Sequence, residues 1–145
     1  SYRRFGNFEA PKYITWSSQN RQQLIRIPVE EGENVRMELR SPDAACNPYI
    51  AYALLLYAGM EGIREELRLC DPVNVLDKSG LHGLEELPHS LDEAIELAEH
   101  SAFLRKYLPQ NILETFFAQK REECTAYAKA SDKELFEYNR YFARV

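Results

Sequence analysis

Between Val35 and Asp43 the chain reads VRMELRSPD. As a strand, this stretch sets Arg36, Glu38 and Arg40 on one face and Met37 and Leu39 on the other, because side chains alternate along extended backbone. Neighbours on one face then stand about 6.6 Å apart. A carboxylate flanked by two guanidiniums has two possible uses. It can be a solvated surface ion pair, which adds little to stability. It can also be an anion site, in which the arginines hold phosphate or carboxylate oxygens bidentately and Glu38 offers a hard oxygen to a divalent cation. Arg26 favours the second use. It interrupts the apolar run Leu24-Ile25-Arg26-Ile27, where an unpartnered charge is costly. Arg21, next to Asn20, lies on the approach to that run, and Asn20 reads as a turn former that positions it. Arginines gathered on adjacent strands repel one another unless an anion lies among them.

The elements that must position these residues follow from local pattern. Lys12 to Trp16 and Gln22 to Val29 are rich in β-formers, with Pro28 ending the second run. Leu24–Ile27 and Val35–Arg40 are expected to pair antiparallel across the polar turn Glu30–Asn34, with Gly32 at its centre. After Pro42 the pattern becomes helical. Asn47-Pro48 pairs a capping residue with proline at the first helical position. The helix it opens is expected to reach Leu67 or Leu69, and its first half is apolar nearly all round, which calls for burial on most sides. Cys70 to Pro88, containing Gly80 and His82, reads as a loop. Ser90 to Glu93 (SLDE) is a capping box that opens a helix to about His100. A further helix follows Pro109, with Ile112, Leu113, Phe116 and Phe117 as its core stripe. Ser131 to Glu134 (SDKE) caps a terminal helix. The fold class is therefore α+β: a few short antiparallel strands carrying the charged face, then a mostly helical C-terminal half.

The 145-residue chain, 45% hydrophobic and 28% charged, has the balance of a globular domain. Its longest apolar run, Tyr49 to Met60, has 12 residues, short of the roughly 20 that span a bilayer, so no membrane role is expected. Charge is uneven: residues 1–40 hold seven Lys/Arg and five Asp/Glu, while the remainder is acidic and the whole carries a net charge of −5. The acidic body argues against nucleic acid, whereas the arginine-rich first part suits a small anion. Three cysteines without a CxxC spacing point to reduced, cytoplasmic thiols and not to a zinc ribbon. His82, His89 and His100 lack ligand spacing. The first residue is not Met and no signal-peptide pattern follows, so the chain reads as part of a longer product.

SYRR, FEAP, WSSQNRQQLIRIP and RMELRSPDAACNPYIAYALLLYAGMEGI, taken together, resemble the C-terminal part of the catalytic domain of type I glutamine synthetase. The likeness is dense from Ser1 to about Ile63 and looser to Val145. It implies that residues 1–145 are a C-terminal fragment of that domain, with the active-site arginines on strands in 1–41 and a helical region in 42–145. The implied reaction is ATP-dependent ligation of ammonia to glutamate through γ-glutamyl phosphate. The implied roles are a flap residue that helps deprotonate ammonium for Glu9, glutamate binding for Arg4 and Arg40, and contact with both substrate and transferred phosphoryl group for Arg21. Arg26 and Arg36 would bind ATP phosphates, and Glu38 would be a ligand of a Mg²⁺ or Mn²⁺ ion. A double-ring homo-oligomer with the last helix as its arm is also implied, as is a cytoplasmic location.

The chain departs from the family pattern at Phe5-Gly6-Asn7, where a Pro-Gly turn is usual. It departs again at Glu33, where a basic nucleotide contact can occur, and in Cys70–Ser90, which holds no Tyr for adenylylation. A fragment with one metal carboxylate is expected to be inactive alone. A ligase that joins another amine to glutamate, of the γ-glutamyl polyamine type, would share the same residues. A non-catalytic assembly module would keep the fold without needing them.

Overall fold

A computed structural model describes residues 2–74 and 83–143. Residues 75–82 of the expected Cys70–Pro88 loop, with Gly80 and His82, lie outside the described residues. The chain forms two compact units, Ser1–His89 and Ser90–Val145.

The first unit holds a three-stranded sheet in the order β1-β2-β3, where β1 is Trp16–Ser17, β2 is Ile25–Arg26 and β3 is Glu38–Leu39. β2 and β3 pair antiparallel as expected, with Ile25 opposite Leu39 and Arg26 opposite Glu38. The strands are shorter than the β-forming runs around them because the connection is a bent segment with a 3₁₀ turn at Gly32–Asn34, and not a tight hairpin. Gly32 takes a positive φ of 66° there, a conformation that glycine adopts without steric cost. β1 joins β2 in parallel, with Trp16 opposite Ile25 and Ser17 opposite Arg26. Alternating apolar pattern carries no information on strand direction, so the parallel pairing was not foreseeable from it.

A helix of 17 residues, α1 (Pro48–Arg64), follows. The side chain of Asn47 accepts from the amides of Tyr49 and Ile50 at 3.0 and 3.2 Å, two donors that the helix itself leaves unsatisfied. The helix stops earlier than the apolar pattern suggests. Glu66 turns left-handed with φ 51°, and the amides of Leu67 and Glu66 close back on the carbonyls of Gly62 and Ile63 at 3.0 and 3.3 Å. This is a Schellman ending, and no glycine at the left-handed position announces it. The burial expected for α1 is not realised within this chain. Tyr49, Tyr52, Leu56, Met60 and Ile63 are all exposed and no residue of the helix is buried.

The second unit is helical: α2 (Leu91–His100), α3 (Ala102–Tyr107), α4 (Gln110–Lys129) and α5 (Lys133–Tyr141). The Ser90 hydroxyl caps α2 by accepting from the Glu93 amide at 3.1 Å. Asp92 and Glu93 sit in its first turn and His100 in its last, which suits the helix dipole. α3, a single short helix capped by Ser101, is too brief for hydrophobic periodicity to reveal. Ile95 of α2 and Leu113 of α4 form the buried aliphatic core, and Arg121 on α4 holds Glu99 with two hydrogen bonds. The expected core stripe is realised at Leu113, while Ile112 remains 43% exposed. Asp132 and not Ser131 caps α5, accepting from the Leu135 amide at 2.9 Å. No helix among the described residues is long and apolar enough to cross a membrane.

Candidate functional site

The antiparallel register sets Arg26 and Glu38 opposite each other, and their side chains meet. Arg26 Nη1 donates to both Glu38 oxygens, at 3.0 and 3.1 Å. The alternation read from the sequence brings Glu38 two more partners from its own strand region: Arg36 Nη2 at 3.1 Å and Arg40 Nη1 at 3.7 Å. Glu38 is therefore ringed by three guanidiniums. The nearest, Arg26, and then Arg36 hold its carboxyl below the ordinary 4.5, because a positive charge favours the ionised form.

Glu9 links the remaining arginines to this ring. Its carboxylate lies 3.9 Å from Arg40 Nη2 and 3.8 Å from Arg21 Nη1, and its backbone carbonyl accepts from Arg40 Nη2 at 3.2 Å. The Glu9 loop is also tied to the Arg21 turn, since Gln22 Nε2 donates to the Phe8 carbonyl at 3.2 Å. Arg4 approaches from the first 3₁₀ turn, Tyr2–Arg4. Its guanidinium donates to the carbonyls of Arg40 and Pro42 at 3.3 Å each and to that of Ser41. In this conformation Arg4 clasps the backbone where β3 ends.

All seven residues singled out from the sequence thus fall in one connected cluster within the first unit. An eighth was not foreseen. Glu30 pairs with Arg36 Nη1 at 2.8 Å and is the leading cause of the raised Arg36 pKa. The acidic turn that contains it was visible, but the fold of the Ile27–Met37 segment that returns Glu30 to Arg36 was not. Five arginines face three glutamates, so positive charge is in surplus. Moreover, the Nε atoms of Arg4, Arg26 and Arg40 are buried without a hydrogen-bond partner, an arrangement folded proteins seldom leave unfilled. Donors in surplus, fork-shaped and partly shielded from water, suit a multiply charged oxyanion.

A divalent cation fits less well. Mg²⁺ takes about six oxygen ligands, and no group of three His, Cys, Asp or Glu that could hold a metal occurs among the described residues. Both oxygens of Glu38 are already engaged by guanidiniums. These residues do not by themselves make a complete metal site.

The family model described as glutamine synthetase, catalytic domain, matches residues 1–141. The glutamine synthetase of Methanosarcina mazei is 42% identical over 134 residues, covering 88% of this chain and 30% of that protein. The glutamine synthetase of Halobacterium salinarum is 37% identical, covering 99% of this chain and 33% of that protein. Among solved structures, a GmaS/ADP complex superposes with a TM-score of 0.72 at 28% identity, over 93% of this chain and 30% of that one. A cryo-EM structure of Plasmodium falciparum glutamine synthetase shares the fold, with a TM-score of 0.71 at 20% identity, over 98% of this chain and 36% of that one. The chain therefore spans about a third of the length of the relatives it matches. It belongs to the glutamine synthetase catalytic-domain family.

Proposed function

We propose that this chain supplies the arginine-rich wall of a glutamate–ammonia ligase active site. There, ATP phosphorylates the γ-carboxylate of glutamate and ammonia displaces the phosphate. The observation that carries this reading is the surplus of guanidiniums registered by β2 and β3 around Glu38. Phosphoryl transfer is accelerated chiefly by fixed positive charge at the moving oxygens, and this cluster supplies positive charge. The solved GmaS complex contains ADP, a ligand of the class these donors suit.

Arg26 and Arg36 bind the nucleotide phosphates. Arg21 spans from there to the transferred phosphoryl group and substrate, and stabilises negative charge as the group moves. Arg40 and Arg4 hold glutamate carboxylate oxygens, which requires Arg4 to release part of its grip on the carbonyls at the end of β3. Glu9, on a loop beside Arg21 and Arg40, accepts a proton from ammonium and helps keep water from the acyl phosphate. Glu38 offsets the mutual repulsion of the arginines in the absence of ligand. It would contribute one carboxylate to the Mg²⁺ or Mn²⁺ ion that the family implies, whose other ligands would have to come from outside the described residues. The chain by itself is then inactive. The complete enzyme works in the cytoplasm as a homo-oligomer with glutamate, ammonia and ATP as substrates.

The test is ATP-dependent γ-glutamyl transfer by the full-length protein that contains this chain, with ammonium and primary amines offered in parallel. Glu38→Ala and Arg21→Ala are each expected to reduce turnover by at least about 100-fold, the scale of losing a transition-state charge contact. Full turnover by Glu38→Ala would refute the catalytic reading. Turnover with an amine but not ammonium would keep the ligase and change its acceptor.

A further inference from the structure

Arg21 stands on a turn whose construction is unusually complete for an exposed segment. At its base is Ser17, the last residue of β1, which is fully buried. Its Oγ accepts from the backbone amides of Gln19 at 3.1 Å and Asn20 at 3.0 Å. The same hydroxyl donates to Oδ1 of Asn74 at 2.7 Å. A serine hydroxyl has one donor and two acceptor positions, so all three are in use. On the other side of Arg21, Oδ1 of Asn20 accepts from the Gln22 amide at 2.8 Å, and Nδ2 of Asn20 donates to the Asn74 carbonyl at 3.4 Å.

Asn74 is itself delivered by the fold. The Val73 amide donates to the Trp16 carbonyl, and Trp16 Nε1 donates to the Cys70 carbonyl, each at 2.8 Å. Residues 70–74 therefore lie alongside β1 and present Asn74 to both Ser17 and Asn20. β1 is in turn registered on β2, with Ser17 opposite Arg26. The Ser17 hydroxyl thereby links the Arg21 turn to a segment more than fifty residues away in sequence, while the Ser17 backbone carbonyl accepts from the amide of Ile27, next to Arg26, at 2.9 Å.

We infer that Ser17 and Asn74 are positioning residues for Arg21, fixing its turn relative to the phosphate-binding face so that its guanidinium meets the transferred group. This rests on the ligase reading above. Neither residue touches substrate. Their effect is on alignment, where a displacement of about 1 Å can cost about 100-fold in rate.

The experiment uses the full-length ligase and measures kcat, KM for ATP and thermal melting. Ser17→Ala is expected to lower kcat by about 10- to 100-fold and Asn74→Ala by about tenfold, with KM for ATP within twofold because Arg26 and Arg36 are untouched. Asn74→Asp retains an oxygen acceptor and is expected to restore kcat to within about threefold of the parent. In an Arg21→Lys background, Ser17→Ala should cost less than about threefold more, since residues acting through one group are not additive. Asn74 is exposed, so its two variants keep the test informative even if Ser17→Ala fails to fold. An undiminished cost of Asn74→Ala on Arg21→Lys, or a loss of kcat that Asn74→Asp does not restore, would overturn the inference. Inactive Arg21→Ala beside fully active Asn74→Ala would overturn this inference alone. Full turnover by Arg21→Ala would overturn the ligase reading and this inference together.

Discussion

Glu123 on α4 is 6% exposed, yet it is a carboxylate far from the arginine cluster in sequence. Its surroundings show what it does. Tyr141, at the end of α5, donates its hydroxyl to Oε1. Lys120 donates to Oε2 at 3.0 Å, and Arg140 Nε lies 3.7 Å from that oxygen. Both α5 partners come from its last turn, so Glu123 fastens the free end of that helix. The other end is held by Lys133, which donates to the Ala128 and Tyr127 carbonyls, and by edge packing of Tyr127 on Phe136 at 5.8 Å. Glu123→Ala costs α5 its hydrogen bond from Tyr141 to a charged group, worth about 1.5–3 kcal/mol, whereas the Lys120 bond lies within α4. Arg140 is 37% exposed, so its ion pair adds little, and about 2 kcal/mol is lost to α5. A helix of nine residues does not hold itself together in water, so that loss goes into local opening of α5.

The measurement is amide hydrogen exchange, resolved to 133–141. At about 1.4 kcal/mol per decade, protection of α5 amides is expected to fall about 30-fold in Glu123→Ala. Glu123→Gln keeps an oxygen for Tyr141 and should fall by about tenfold. Glu122→Ala, at an exposed neighbouring position, should leave protection unchanged. Protection within threefold of the parent in Glu123→Ala would refute the reasoning, since the carboxylate would then not be what retains the helix end.

Two further outcomes follow from the geometry. Carboxyl resonances followed by NMR should show Glu38 titrating below the ordinary 4.5, and Arg26→Ala should move it up. Because the folded value is the depressed one, this group's contribution to stability is present above the unfolded pKa and disappears as pH falls through the folded pKa. A Glu38 midpoint at or above that of exposed glutamates would contradict the ring of guanidiniums. At the start of α5, Asp132→Ala should destabilise the helix by about 1 kcal/mol, while Ser131→Ala should be near neutral. The reverse order in thermal melting would return the cap to Ser131.

The grouping of the charged residues was legible because it depends on residue type and strand period. An arginine inside an apolar run, and a carboxylate two residues from each of two arginines, remain on one face in almost any sheet that contains them. Asn47-Pro48 and Ser90 with Glu93 were legible for a similar reason, since a cap acts within three residues of itself. Residues whose partners lie far along the chain were not legible: Arg4 on the carbonyls after β3, Glu30 on Arg36, and Ser17 on Asn74. α1 is a different case. Its pattern asks for cover on most sides, yet Tyr49, Leu56 and Ile63 are 85%, 69% and 82% exposed. The chain spans about a third of its relatives' length.

By itself, then, the amino-acid order determined much of the local conformation and the charged groups: which stretches extend, where α1, α2 and α4 open, and that guanidiniums and carboxylates share one strand face. Only the tertiary structure decided that β1 runs parallel to β2, that Glu66 ends α1, and that Glu38 meets Arg26 across the ladder while Asn74 braces the Arg21 turn. The division has a physical cause. Backbone propensity and capping act over a few residues, whereas these pairings depend on the path by which distant segments return to each other, and many paths satisfy the same local pattern.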